Sequence, residues 1–323
     1  MKRLLFLILL FYSFSNAITF NEFKKKYVIN NSYVIDPFNN NRVTSESQGY
    51  GLLLAYLYDK PKLFDTIWQW TKKNLQRKDY LFSWHWNKKV LDPNNASDGD
   101  ILIAYALLKA SKKFSNKNYF NQTLKIINSI AKTAIVICPN YAILLPGKYG
   151  FVKNTDITVY PSYYIPFAFK EFYLNTLNPV FSTLYYQTYK LYRLENLTTK
   201  LHFSLIDKRF NIYSYSDLDV YRVILYAYLD NKRNLKKLKN TFQKVNLFFQ
   251  KHGYLPLTYP IQNNYKSPYC VYKWFYMLYK DTNYLIKYKQ LLKKSRKNYF
   301  CDALELIEKG FENEKNSFNN TGN

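Results

Sequence analysis

Val43-Thr44-Ser45-Glu46-Ser47-Gln48-Gly49-Tyr50-Gly51-Leu52-Leu53-Leu54-Ala55-Tyr56 begins as a small polar cluster around one carboxylate and continues as a run that is apolar almost all round. A helix apolar on every side is buried on every side. The same layout occurs twice more. Asn94-Asn95-Ala96-Ser97-Asp98-Gly99-Asp100 leads into Ile101 to Leu108, and Tyr215-Ser216-Asp217-Leu218-Asp219 leads into Val220 to Tyr228. Three buried helices, each with acidic residues where it starts, predict an acidic cluster at one end of a helical core.

Between these runs lie one-sided segments. Pro61 opens a helix with Leu63, Ile67, Trp70 and Leu75 on one face and Lys72, Lys73 and Gln76 on the other. Tyr119 to Val136 repeats the pattern, as does a basic amphipathic segment from Lys232 to Lys251. Helices are also expected at Phe20 to Tyr27, Ser162 to Leu174 and Pro179 to Glu195. A loop from Asp79 to Asn95 holds the aromatic patch Phe82-Ser83-Trp84-His85-Trp86-Asn87, and Ala142 to Tyr160 reads as irregular or extended. All-round and one-sided helices in alternation imply two concentric layers, an all-α closed barrel of helical hairpins in one domain, residues 18–312. A two-layer solenoid is the rival, although no repeat period is visible. The Asn-rich end, residues 313–323, reads as a disordered tail.

The 323 residues include only 8 Gly, too few for a loop-rich β-sandwich or a dinucleotide-binding fold, and 20% aromatics. The net charge of +25 comes from basic residues spread along the chain. That spread argues against a nucleic-acid interface, which needs a concentrated basic patch. Residues 1–17 have the three parts of a secretory leader: Lys2 and Arg3, an apolar run from Leu4 to Phe14, and Ser15-Asn16-Ala17 before a cut. The expected mature protein is periplasmic or secreted, with no membrane span. Cys138, Cys270 and Cys301 match no metal spacing. One disulfide among them is open, and the reading adopted is three buried apolar residues. His85, His202 and His252 are scattered, which speaks against a zinc site or a Ser-His-Asp triad. No metal or cofactor is expected.

If the buried helices start at one end, Glu46, Asp98, Asp100, Asp217 and Asp219 meet there. Cleavage of a glycosidic bond needs such a set, one carboxyl protonated to donate to the leaving oxygen and another ionised. Flat aromatic faces for stacking sugars are available at Trp84, Trp86 and many Tyr. A helix N-terminus favours the anion, which opposes a general acid, and a neighbouring charge such as Asp98 opposes ionisation in turn. Each acid read singly is also explained as a cap or first-turn residue.

The stretch around Glu46 resembles the Ser-Glu-Gly-Gln-Ser-Tyr-Gly signature of family 8 glycoside hydrolases, in particular the periplasmic endo-1,4-β-glucanases that accompany bacterial cellulose synthase. Leu91 to Asp100 is similar to that family's Ala-Ser/Thr-Asp-Gly-Asp block. Leu144 to Phe151 and Tyr160-Pro161-Ser162-Tyr163-Tyr164 have close counterparts, and Asp219-Val220-Tyr221-Arg222-Val223 resembles its Tyr-Asp-Ala-Ile-Arg-Val segment. These motifs run in order over roughly residues 20 to 280. The resemblance implies an (α/α)6 barrel of six inner and six outer helices and an inverting endo-1,4-β-glucanase. Glu46 is implied as general acid, Asp219 as general base with Arg222 beside it, and Asp98 as the residue that holds the sugar and assists the acid. Tyr50, Trp84, Trp86, Tyr163 and Arg222 are implied to bind substrate. Asp217 is the competing base. Other β-1,4 polymers (chitosan, xylan) and a non-catalytic glycan binder remain alternatives. The implied partner is a β-1,4-glucan chain, with functional association to cellulose synthase machinery, no nucleic acid and a monomeric state. In this chain Ser47 stands where the signature has Gly, and Gly49 where it has Ser.

Overall fold

The computed structural model describes residues 18–320, apart from Asn140, Tyr213 and residues 295–297. The expected leader lies outside the described residues. Among those described there are twelve α-helices: α1 (Phe20–Tyr27), α2 (Ser45–Leu57), α3 (Pro61–Leu75), α4 (Ser97–Lys113), α5 (Lys117–Thr133), α6 (Pro166–Thr176), α7 (Pro179–Tyr192), α8 (Leu218–Asp230), α9 (Gln243–His252), α10 (Tyr269–Tyr279), α11 (Thr282–Lys294) and α12 (Tyr299–Asn320). Even-numbered helices form the inner layer. Their apolar side chains are enclosed by neighbours on both flanks and by an outer helix behind: Leu52, Leu53 and Leu54 of α2 are all fully buried. Odd-numbered helices bury one stripe, such as Leu63, Phe64, Ile67 and Trp68 of α3. Each fully buried Leu or Phe contributes on the order of 1.5–3 kcal/mol, which is what holds two layers of helix together.

Contacts run α2 to α4, α6, α8, α10 and α12 in turn, and α12 packs back on α2. That closing contact makes the ring an (α/α)6 barrel and rules out an open solenoid. Because each inner helix is followed by an outer one that returns, the inner helices all run the same way. Their N-termini share one rim.

Short strands decorate that rim. β1 (Val28–Ile29) pairs with β2 (Tyr33–Val34). β3 (Val43–Thr44), β4 (Ser83–Asn87) and β5 (Lys89–Asn95) form an antiparallel sheet immediately before α2 and α4. β6 (Ile135–Cys138) pairs with β7 (Tyr141–Leu144), and β8 (Val152–Lys153), β9 (Asp156–Val159), β10 (Leu201–Ser204) and β11 (Arg209–Ile212) make the remaining sheet. No described helix is long and apolar enough to cross a membrane.

Four expectations change. The loop at 79–95 is largely the β4–β5 hairpin, which turns at Lys88 in a left-handed conformation. The helix expected over 232–251 is broken into a 3-10 turn at Lys232–Leu238 and α9, and between them the buried Thr241 donates to the Tyr192 carbonyl at 2.9 Å. Cys270 and Cys301 form a disulfide. They are the second residue of α10 and the third of α12, which stand side by side as consecutive inner helices. The tail expected from residue 313 continues α12 to Asn320, since Glu312 and Glu314 accept from the hydroxyls of Tyr228 and Tyr56, and Lys315 donates to the Leu229 carbonyl at 2.8 Å.

Candidate active site

The start of α2 is fixed by a reciprocal capping box. The Ser47 N–H donates to Thr44 Oγ1 and the Thr44 N–H to Ser47 Oγ, both at 3.0 Å. Thr44 is therefore the cap and Glu46 is free of that duty. The serine that departs from the family signature closes the box. Gly49 also has a local reason, since a Cβ there would lie 2.7 Å from the Cβ of Leu102 on α4. Gly99 plays the same part from the other side. A Cβ on it would come within 2.8 Å of the Glu46 backbone nitrogen. The two bare positions let α2 and α4 approach until Glu46 and Asp98 stand side by side.

The start of α4 is braced by the 144–151 stretch. Ser97 donates from its N–H to the Pro146 carbonyl at 2.9 Å and from its hydroxyl to the Leu145 carbonyl at 2.6 Å. Asp98 is 2% exposed and accepts from the Gly99 N–H at 2.8 Å. Asp100 has a different task. Fully buried, it accepts from the Phe82 N–H at 2.8 Å and from Asn95 Nδ2 at 2.7 Å, tying the ends of the β4–β5 hairpin to α4. Burial holds its pKa up at about 7.

Arg222, one turn into α8, joins the acids. Its guanidinium is 1% exposed. Nη1 donates to Glu46 and, at 2.9 Å, to the Tyr50 hydroxyl, while Nη2 donates to Asp98 Oδ2 at 3.2 Å. Tyr50 donates in turn to Glu46 Oε1 at 2.9 Å, and its oxygen lies 3.2 Å from that of Tyr226. One cation thus holds two carboxyls, with charge-assisted bonds that fix both orientations. Asp98 is held well above the ordinary carboxylate range by burial first and the Glu46 charge second, against the pull of Arg222. Tyr163, in a 3-10 turn just ahead of α6, lies with its ring 5.9 Å from the guanidinium carbon.

Asp217 and Asp219 separate cleanly. Asp217 is the N-cap of α8, accepting from the Asp219 N–H at 2.9 Å and from the Thr199 hydroxyl at 2.5 Å. Asp219 has no such employment. Its side chain is exposed to solvent, yet the protein packed around it desolvates it enough to raise its pKa to about 6. The charges of Glu46 and Asp217 push the same way, while Arg222 opposes them.

The tryptophans divide. Trp84 is half-buried, donates from Nε1 to Asp92 at 2.7 Å and carries Arg42 4.7 Å above its ring. Trp86 packs edge-on against Trp70 of α3 at 5.0 Å and against Tyr33 at 5.9 Å. It is half-buried, packed on the outer-layer Trp70 and the rim residue Tyr33. Sequence reasoning missed Tyr226 and Phe300, whose rings lie 5.8 and 5.6 Å from the Arg222 guanidinium carbon. Tyr226 was findable, being four residues beyond Arg222 on a buried helix. Phe300 has no local signal.

A cavity of about 540 Å³ lies elsewhere, between Tyr56, Lys109, Lys112, Lys113 and Glu314 at the opposite rim. Size normally nominates a site. Here the convergent titratable groups outweigh it. Among the described residues no group of three His, Cys, Asp or Glu is arranged to hold a metal.

The sequence pattern of glycosyl hydrolases family 8 matches residues 2–314. The chain is 37% identical over 155 residues to an endoglucanase of Cellulomonas uda, which is 46% of this chain and 43% of that protein. It is 36% identical over 148 residues to a probable endoglucanase of Novacetimonas hansenii, 44% and 43% respectively. The chain thus aligns with under half the length of these curated relatives. Among solved structures, the endo-β-1,4-glucanase of Acetobacter xylinum superposes with a TM-score of 0.79 at 26% identity, over 91% of this chain and 96% of that one. A cold-adapted family 8 xylanase reaches 0.68 at 17% identity, over 87% and 83%, and shares the fold. The pattern spans nearly the whole chain, and the protein belongs to glycosyl hydrolases family 8.

Proposed function

We propose that the chain is an endo-acting, inverting hydrolase of β-1,4-glucan, with Glu46 as general acid and Asp219 as general base. The observation that carries this reading is the Arg222 hub, which orients Glu46 and Asp98 at the rim that also holds Asp219. Water attacks the anomeric carbon and gives a proton to Asp219. The bond to the leaving oxygen breaks as that oxygen takes the proton of Glu46. Asp98, which burial biases toward its protonated form, holds a hydroxyl of the sugar at the cleavage point. Arg222 keeps the Glu46 carboxyl aimed through both events. Tyr163 and the half-exposed Trp84 serve as stacking faces. Inversion requires acid and base roughly 6.5–9.5 Å apart, leaving room for the water.

The finer reading is a periplasmic or secreted enzyme that trims chains during bacterial cellulose synthesis or export. The leader pattern of residues 1–17 supports it, together with the similarity to the Acetobacter xylinum enzyme. The test is product analysis on cello-, chito- (deacetylated), xylo- and mixed-linkage gluco-oligosaccharides. Rapid release of short cello-oligosaccharides is expected. Preferential cleavage of another polymer would replace the substrate. Binding to carboxymethyl-cellulose without new reducing ends would replace the enzyme with a glycan binder.

A further inference from the structure

Arg222 is the most enclosed charge in the cleft, and what encloses it is aromatic. Tyr163 from the turn before α6, Tyr226 from α8 itself and Phe300 from α12 surround the guanidinium at 5.9, 5.8 and 5.6 Å. Two of these rings come with the elements that carry the site. Phe300 comes from the far end of the chain, on the wall where α12 meets α10.

That wall is fastened at several points, all within two residues of Phe300. The next residue, Cys301, is bonded to Cys270 of α10. Asp302 accepts from the hydroxyl of Tyr27 on α1 at 2.5 Å and from that of Tyr269 on α10. The preceding residue, Tyr299, packs edge-on against Tyr27 at 5.2 Å. Trp274, one turn after Cys270, meets the Phe300 ring at 6.3 Å. A half-buried phenylalanine beside a cleft needs no such anchoring to remain folded. A ring that must stay over a guanidinium does.

We propose that Phe300 is a positioning residue of the glycosidase centre, held over Arg222 by the Cys270–Cys301 disulfide and the Asp302 anchor, and that through Arg222 it fixes the Glu46 carboxyl. A ring face over a cation attracts it and excludes water from that side. The guanidinium then has only Glu46, Asp98 and Tyr50 to bond. With the ring removed, water reaches Arg222, competes for its donors, and lets Glu46 leave its aim. Glu46, Asp98, Asp219, Tyr50, Tyr163, Tyr192 and Tyr226 are the titratable groups that feel that cation. The inference rests on the proposed glycosidase reading, and its test separates the two.

The experiment compares wild type with Phe300→Ala, Phe300→Leu and Phe300→Tyr on cellopentaose. Phe300→Ala should lower kcat roughly 10- to 100-fold, the scale of a misplaced catalytic group, with KM within about twofold and the pH profile of kcat displaced. Phe300→Tyr should recover most of the rate, and Phe300→Leu little of it, although Leu keeps the wall apolar. Replacing Cys270 and Cys301 together by Ala should lower kcat several-fold, with a smaller further loss when Phe300→Ala is added. A second readout needs no turnover: carboxyl-carbon NMR titration of Asp98, whose midpoint should fall in Phe300→Ala as water enters. Unchanged kcat and pH profile in both Phe300→Ala and Phe300→Leu would overturn the proposal. So would a loss confined to KM, which would make Phe300 a sugar platform, or an Asp98 midpoint that does not move. A wild type inert on cellopentaose would sink the glucanase reading alone, leaving the titration to judge Phe300.

Discussion

Where α2, α4 and α8 begin, Glu46, Asp98 and Asp219 crowd around a single buried arginine. Where α2 and α4 end, Lys109, Lys112 and Lys113 line a 540 Å³ cavity with Glu314. The two rims follow one rule, since helix N-termini favour anions and C-termini cations. At the far rim the rule is obeyed with little strain. Lys113 donates to the Tyr56 carbonyl at 3.1 Å and Lys315 to that of Leu229 at 2.8 Å, closing orphan groups at helix ends. At the near rim it is overdrawn. Three acids exceed what capping requires, two of them are pushed toward protonation, and Thr44 and Asp217 do the capping instead. The contrast teaches that volume alone is a poor guide to chemistry. The 540 Å³ space is lined by Lys109 paired with Glu314 and Lys113 paired with Asp59.

The comparison breaks most visibly at Asp219. Asp219→Asn should lower kcat by about 100- to 10,000-fold, the range for loss of a general base. Asp217→Asn keeps an oxygen that can cap and should stay within a few-fold. Equal losses at both would dissolve the distinction drawn between them, and Lys112→Ala at the far rim should leave the rate unaltered. Next comes Gly99→Ala. The added methyl has no room against the Glu46 backbone, so α2 and α4 must part. The expected result is a loss of about 1–3 kcal/mol of stability, typical of overpacking, read from denaturant unfolding, with activity falling further than stability explains.

The smallest effects are those of pH. Asp219 works as a base only when ionised, so kcat/KM should rise as pH climbs through about 6. That limb should persist in Asp217→Asn. A limb below pH 4.5 would show that Asp219 is not the group being titrated. For stability the informative residue is Glu305, 4% exposed on α12. Burial raises its pKa from 4.5 to about 7, outweighing the nearby Lys273. The folded protein therefore holds this proton more tightly than the unfolded chain does. Its stabilising contribution is complete below about pH 4.5 and is lost as pH rises to about 7. Thermal unfolding of Glu305→Gln across pH 4–8 should show a flatter fall than wild type, and an unchanged slope would place the loss in other groups.

The barrel was legible because burial on all sides leaves a plain trace: Leu52 to Leu54 and Ile101 to Leu108 have no polar face to hide. The acids were legible because each sits just ahead of such a run. Their division of labour was not. Asp217 and Asp219 look alike in sequence, and only the Thr199 hydroxyl and the Asp219 N–H identify which one is the cap. The same holds for Ser47, which reads as a departure from a signature until its bond with Thr44 is seen. The surroundings of Trp86 were not legible either, because its contacts with Trp70 and Tyr33 join separate segments of the chain. Contacts between inner helices, such as Cys270 with Cys301 and Phe300 with Arg222, join residues from separate turns of the barrel and carry no periodic signal.

The central claim is that Glu46 donates the proton and Asp219 activates the water in a single inverting displacement. Proton NMR of cellopentaose hydrolysis, followed from the first turnovers with wild type and Glu46→Gln, tests it most directly. The account predicts α-anomeric reducing ends appearing first with wild type, and at least a 100-fold slower signal from Glu46→Gln whose fold is intact by circular dichroism. Products that appear first as the β-anomer, or a Glu46→Gln variant as fast as wild type, would contradict it.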